Sequence, residues 1–166
     1  MIFLCSKSDS GEILEIINDA ASAYRGVIPA DRWHEPYMSR EALQAEVAAG
    51  VVFWGQRGDS RLEGVMGLQH VADVALIRHA YTRTAAQGRG IGSALLGRLK
   101  QQARPPLLVG TWKAASWAIR FYEKRGFVLT SETEKASLLR RYWTVPERQI
   151  EESVVLQCSS RSAPQP

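Results

Sequence analysis

No run in this chain of 166 residues approaches the roughly 18 apolar residues of a membrane span, and the first residues lack the charged start and apolar core of a secretory signal. A cytoplasmic protein with no membrane partner is therefore expected. Cysteine is scarce: Cys5 and Cys158 stand near opposite ends, in no metal-ligand spacing, and read as reduced thiols without a functional role. No metal site and no internal repeat is expected. Acidic residues are almost missing from one stretch. Residues 84–128 carry eight Lys or Arg against the single acid Glu123, a net charge of +7, whereas the whole chain is only +4. A polyanionic ligand would gain from that local field. Nucleic-acid binding would also need aromatics interleaved with exposed basic residues on one face, and Arg120 with Phe121 and Tyr122 offers little of this, so no nucleic-acid partner is expected.

The length and a hydrophobic content of 45% suit one domain with a proper core. That domain is assigned to residues 1–158, and the Ser-, Pro- and Gln-rich stretch 159–166 is expected to be disordered. In order, residues 2–5 read as a strand, and Asp9-x-x-Glu12 resembles a capping box before a helix that runs to about Tyr24. Gly26 and Pro29 break that helix, and residues 25–37, rich in aromatic and ionisable side chains, read as a binding wall. Ser39 caps a second helix through Ala49, and residues 51–55 and 62–69 are strands joined by a turn at residues 57–60. Val74–Thr82 is the next strand, with alternation placing Ile77, His79 and Tyr81 on one face. A helix over 93–104 stops at Pro105-Pro106, a buried strand follows at 107–111, and Ser116 caps a helix over 117–125. A strand at 127–130, a helix over 132–143 interrupted by Pro146, and a final strand at 153–157 complete the pattern.

The chain is organised around Gln87-Gly88-Arg89-Gly90-Ile91-Gly92, between the strand ending at Thr82 and the helix beginning near Ser93. Glycines at 88, 90 and 92 let several amide N–H groups converge on one anion at a helix N-terminus, an arrangement that holds phosphate. The dinucleotide fingerprint G-x-G-x-x-G fits poorly, because its last glycine would fall on Ser93 and the following strand supplies no acid. The loop fits better the pattern Gln/Arg-x-x-Gly-x-Gly/Ala, with Gln87, Gly90 and Gly92 matching. Downstream, Ala118, Phe121-Tyr122-Glu123-Lys124 and Gly126-Phe127 reproduce A-x-x-x-Y-E-K-x-G-F at the expected distance.

With both motifs in order, the chain resembles the GNAT superfamily of N-acetyltransferases, over roughly residues 1–156. The resemblance implies an α/β (α+β) fold: a mixed, twisted, mostly antiparallel sheet of about six or seven strands with helices on both faces. It also implies a splayed strand pair that holds acetyl-CoA as cosubstrate. The coenzyme's diphosphate would lie on Gln87, Gly88, Arg89, Gly90, Ile91, Gly92 and Ser93, its pantetheine arm on the backbone of Ala80, Tyr81 and Thr82, with further contacts from Ser116, Phe121 and Lys124. Two departures stand out: Gly110 where some members carry a catalytic glutamate, and Ala115 where many carry a coenzyme-binding asparagine.

Acetyl transfer to an amine needs an uncharged nitrogen, a stabilised oxyanion and a proton for the leaving thiolate. A phenol, with an ordinary pKa near 10, rests protonated at neutral pH and can protonate a thiolate whose acid lies near 8.5. The resemblance places the general acid at Tyr122. His79 is the candidate general base, with His34 and Glu35 as alternatives and a water relayed by backbone carbonyls needing no side chain. Tyr24, Trp33, Glu35 and Trp143 are expected to line the acceptor side, Tyr37 and Asp31 standing nearby, and Trp112 and Lys113 to shape the acyl end. The implied activity is transfer from acetyl-CoA to a primary amine of a small molecule or amino acid, by direct attack because no cysteine lies in the motifs. A catalytically weak coenzyme A-binding regulatory module is the alternative motivated by Gly110 and Ala115, and homodimer formation is left open.

Overall fold

Apolar runs too continuous for a sheet with one wet face, such as Val74-Ala75-Leu76-Ile77 and Leu107-Leu108-Val109, require cover on both sides. In the computed structural model, which describes residues 1–159, they lie at the centre of a seven-stranded sheet. The strands are β1 (Ile2–Leu4), β2 (Val52–Arg57), β3 (Leu62–Val71), β4 (Val74–Thr82), β5 (Leu107–Trp112), β6 (Val128–Leu129) and β7 (Ser153–Cys158), in the order β1-β2-β3-β4-β5-β7-β6. Every neighbouring pair is antiparallel except β4 and β5. A parallel pair needs a long crossover, and helix α3 (Ile91–Gln102) supplies it.

The other helices are α1 (Ser10–Ala21), α2 (Arg40–Ala48), α4 (Ser116–Glu123), α5 (Glu132–Tyr142) and the short α6 (Glu147–Glu151). Leu95, Leu96 and Leu99 of α3 and Tyr122 of α4 pack on Met66, Ile77, Val109 and Leu156 of the sheet. The opposite faces of the same strands are covered by two clusters: Ile13, Ile16 and Ile17 of α1 with Phe53 and Val65, and Leu139 of α5 with Leu76, Leu108 and Val155. The expected mixed sheet with helices on both faces is what the chain adopts.

Several boundaries differ from the sequence expectation for identifiable reasons. Asp9 and Glu12 do not form a capping box. Asp9 Oδ2 instead accepts from Ser6 N at 2.7 Å, while Glu12 Oε2 accepts from Leu62 N at 2.6 Å and pins α1 to the start of β3. That buried-end hydrogen bond is the main reason the Glu12 carboxyl is held below its ordinary range. Ser39 does cap α2, its hydroxyl accepting from Ala42 N at 3.1 Å. Ser116 is not a cap but the first residue of α4, with Ala115 in the cap position. Helix α3 starts two residues earlier than predicted, since Gly90 takes over the cap in a left-handed conformation. Pro146 does not only interrupt: it stands at the N-cap of α6, a helix the sequence pattern did not reveal. The prediction for residues 159–166 falls, Ser159 apart, outside the described residues.

Candidate active site

The site begins where one ladder ends. Strands β4 and β5 pair only through Ala75–Leu107, Leu76–Leu108 and Ile77–Val109, although β4 continues to Thr82 and β5 to Trp112. Beyond Ile77 the β5-facing edge of β4 carries backbone groups without a sheet partner. A cleft of about 540 Å³ opens there. Its walls come from five places: Ala20, Ala23 and Tyr24 at and just beyond the end of α1, Val65 and Met66 of β3, Ala80–Thr82 of β4, Gly92 and Leu95 of α3, and Trp117, Ala118, Phe121 and Tyr122 of α4. Gln87 completes the rim.

A β-bulge shapes the β4 wall. Val65 pairs with Tyr81 and Gly67 with Arg78, so His79 and Ala80 together oppose Met66, and His79 has φ +54°. The extra residue reverses the alternation. Ile77 and Ala80 share the face covered by α3, whereas Tyr81 packs with the α1 cluster and His79 stacks on Phe53 of that cluster. The expected grouping of Ile77, His79 and Tyr81 on one face is thus corrected. His79 does not enter the cleft: its Nε2 lies 3.0 Å from Glu46 Oε2, a carboxylate that also pairs with Arg78 at 3.1 Å. Burial works against the Glu46 charge, yet His79 and Arg78 hold its pKa below the ordinary value.

The glycine loop leaves open space at the start of α3. Gly88 and Gly90 both adopt φ +78°, where a side chain would be strained, and a Cβ at either would meet nothing within 4 Å. The space over the loop is open. Gly90 offers no side-chain cap, so the first amides of α3 point their N–H groups outward unpartnered by any cap. Gly92 is needed for another reason: a Cβ there would come within 3.3 Å of the Phe121 ring, which lines the cleft. Room, free amides and a local excess of cations fit a diphosphate. Gln87 Nε2 reaches back toward Thr82 O at 3.4 Å, and Arg89 pairs with Glu63 at 2.9 Å on the surface.

The phenols gather at the other end. Tyr122 is buried, its ring edge-on to Phe121 and Phe127 at 5.0 and 5.3 Å. Burial first, and Tyr24 second, push its pKa well up, so it stays protonated at any physiological pH. Tyr24 sits among Tyr37, Tyr81 and Trp117 with ring centroids 5.6, 6.4 and 6.0 Å away, and its phenol is hydrogen-bonded to that of Tyr81. Burial raises the pKa of both.

Of the sequence-predicted residues, Tyr24, Ala80, Tyr81, Thr82, Gln87, Gly92, Phe121 and Tyr122 come together on the cleft, and Gly88, Gly90, Ile91 and Ser93 lie in or beside the loop. Others do not join them. Trp33 stacks on Tyr37 beneath the Arg25 guanidinium, and Glu35 is paired with that same arginine. Asp31 is paired with Arg148, and His34 Nδ1 sits 2.8 Å from Pro36 O. Trp143 packs over Gly110, where a Cβ would stand 3.4 Å from its indole, in van der Waals contact with the ring. Ala115 is fully buried beside Ile28 and Trp112. Ser116 and the exposed Lys124 lie away from the cleft walls. Trp112 is buried and donates from Nε1 to Tyr37 Oη at 3.4 Å.

Arg125 is the residue that sequence reasoning passed over. Within the motif it occupies the variable position, and its only signal was membership of the basic segment.

A sequence model described as an acetyltransferase (GNAT) domain matches residues 17–140, and the chain belongs to the GNAT acetyltransferase family. It is an acetyl-CoA-dependent acyltransferase, with acetyl-CoA as cosubstrate. Among solved structures it is similar to the paiA N-acetyltransferase of Thermoplasma acidophilum in complex with coenzyme A, at 19% identity over 96% of this chain and 98% of that one, with a TM-score of 0.73. The ribosomal-protein-S18-alanine N-acetyltransferase of Escherichia coli is similar at 15% identity, 99% and 96% coverage and a TM-score of 0.69. The putative acetyltransferase yncA of Salmonella typhimurium with acetyl-CoA is similar at 19% identity, 99% and 97% coverage and a TM-score of 0.65. At these identities the likeness is one of fold. No curated protein sequence matches the chain. Among the described residues, no helix is long and apolar enough to cross a membrane, and no group of three His, Cys, Asp or Glu side chains is placed to hold a metal ion.

Proposed function

We propose that the protein is an N-acetyltransferase that moves the acetyl group of acetyl-CoA onto a primary amine of a small molecule or amino acid, by direct attack of the nitrogen. The observation that carries this reading is the early end of the β4–β5 ladder, which brings a free backbone edge, the glycine-loop amides and one buried phenol to a single cleft. When bound, acetyl-CoA supplies an acyl group already activated as a thioester. The amides following Gly88 and Gly90 hold its diphosphate, and the edge of Ala80, Tyr81 and Thr82 pairs with the amides of its pantetheine arm.

Tyr122 keeps its proton because burial disfavours the phenolate, and it delivers that proton to the departing thiolate. The phenolate left behind is the stronger base, so it takes back the proton that the acceptor nitrogen gives up through water, and the net result is one proton moved from nitrogen to sulfur. Direct attack is favoured over an acyl-cysteine because burial pushes the Cys5 thiol up to about 12, leaving no nucleophilic thiolate, and Cys158 is buried in β7. His79 is withdrawn from the base's role by its pairing with Glu46, and the residues lining the cleft include neither carboxylate nor imidazole. Deprotonation of the acceptor then falls to water held by the unpaired carbonyls of β4. Tyr24 and Trp117, with the small Ala20 and Ala23, make the acceptor end apolar and aromatic, which suits an amine with an apolar or planar portion. The proposed setting is the cytoplasm, where both thiols stay reduced.

The test is acetyl-CoA binding by calorimetry followed by thiol release across a panel of small amines and amino acids. Tight binding with acceptor-dependent thiol release is expected. Binding without release for any amine would leave the acceptor assignment wrong, and no binding at all would remove the whole reading.

A further inference from the structure

The Arg125 guanidinium lies between the two helices that wall the cleft, and each of its three nitrogens makes a hydrogen bond. Nε donates to Ser93 Oγ at 2.9 Å and Nη2 donates to the same oxygen, while Nη1 donates to Phe121 O at 2.9 Å. The planar group lies 4.0 Å from the centre of the Phe121 ring. Its own carbonyl accepts from Lys100 Nζ of α3. Arg125 therefore ties the C-terminal end of α4 to α3 at two points, Ser93 in the first turn and Lys100 in the last.

Two features make this more than a brace. A hydroxyl has one proton to give and two lone pairs to accept with. With both lone pairs of Ser93 Oγ taken by Arg125, that oxygen can only donate, and it stands one residue after Gly92, which lines the cleft. The second feature is electrostatic. Arg125 is half-buried, yet every acceptor it reaches is a neutral oxygen, and among the described residues it has no carboxylate within salt-bridge distance. A half-buried cation without an anionic partner is incomplete until a negative group arrives nearby.

We propose that Arg125 is a positioning residue of the diphosphate cradle: it turns Ser93 Oγ into a dedicated, charge-assisted donor toward the coenzyme phosphates and holds Phe121 against Gly92. The inference rests on the cradle assigned under the proposed function. Arg125 itself touches no phosphate, and acts through Ser93 and Phe121. Lysine at this position would keep the charge but lose the fork, since one ammonium cannot hold both Ser93 Oγ and the Phe121 carbonyl in the plane of a ring.

The experiment compares two ligands by calorimetry: acetyl-CoA, and S-acetylpantetheine, which has the thioester arm but no diphosphate. Arg125→Met, Arg125→Lys, Ser93→Ala and the Arg125→Met/Ser93→Ala double variant are measured beside the wild type. Loss of a charge-assisted donor predicts acetyl-CoA binding weakened about tenfold or more by Arg125→Met and by Ser93→Ala. S-acetylpantetheine binding should stay within about twofold, and the double variant should be little worse than either single one, as for groups acting as a unit. In turnover the effect should fall on KM for acetyl-CoA and leave kcat near its wild-type value, with Arg125→Lys only partly rescuing. Equal weakening of both ligands would mean a merely structural brace and overturn the proposal, as would additive losses in the double variant. Ser93→Ala, which removes a single oxygen, keeps the question open to refutation should Arg125→Met not fold. Wild-type protein that failed to bind acetyl-CoA would sink the functional reading itself. Wild-type binding with undiminished binding by Ser93→Ala would sink this inference alone.

Discussion

Strand β4 is two structures in one. Its first four residues, Val74–Ile77, are buried and paired on both sides, with β3 and with β5. Its last five, Arg78–Thr82, are half-exposed and paired only with β3. The change comes within a turn of the His79–Ala80 bulge. Where the parallel ladder holds, backbone groups are spent on one another and side chains interlock with three layers of neighbours. Where it lets go, the same backbone is free to pair with a ligand in the cleft of about 540 Å³ beside it. An unpaired strand edge must be satisfied by solvent or by a ligand, and the cleft leaves room for either.

If the division is right, changes at the parted end should alter turnover with little effect on stability, and changes at the paired end the reverse. The largest effect is expected for Tyr122→Phe, which removes the acid and one oxygen: kcat should fall about a hundredfold or more, with acetyl-CoA affinity nearly unchanged. A kcat at the wild-type level would take Tyr122 out of the chemistry. At the paired end, Leu108→Ala empties a fully buried site against Leu76 and α5 and should cost about 2–5 kcal/mol in denaturant unfolding, while the folded fraction turns over normally. Gly90→Ala forces a side chain into φ +78° and should cost about 1–2 kcal/mol, with KM for acetyl-CoA rising more than kcat falls. Smallest of all is His79→Gln, which should leave kcat within about twofold and lower stability by about 1 kcal/mol or less through the loosened Glu46 pair. A large kcat loss there would restore the imidazole to the mechanism and erase the distinction between the two faces of the bulge.

The pH profile sharpens the same point. Because burial raises the Tyr122 pKa, the acid form is present below its ordinary value and well beyond it, so kcat should show no descending limb up to about pH 10. The rate should climb as the acceptor's own ammonium is lost, and its midpoint should move when the acceptor is changed. A midpoint near 6.5 that ignores the acceptor would point to a histidine.

Much of this was legible in residue order. Glycines at 88, 90 and 92 announce a backbone that must turn and approach closely, and their reading as an anion cradle needed no coordinates. The tyrosine of the second motif was likewise visible, because its spacing from the loop is a property of the sequence. The bulge was not. A strict period of two assigned His79 to the face of Ile77, and one extra residue opposite Met66 was enough to move it against Phe53 and Glu46, partners far away in the chain. Glu35 and Asp31 were unreadable for a similar reason: each met an arginine that no local pattern could have paired with it.

Local order alone decided what each segment can do: where the backbone turns, which runs are buried on both sides, which loop can grip an anion. Tertiary packing alone decided what each side chain finds when it arrives. Trp143 landing on Gly110, Glu46 taking His79, and Arg125 spanning two helices to clasp Ser93 are meetings between residues 32 or 33 positions apart. Propensity and spacing act over a few residues, whereas the partner that completes a polar group or fills a gap is chosen by the whole fold at once.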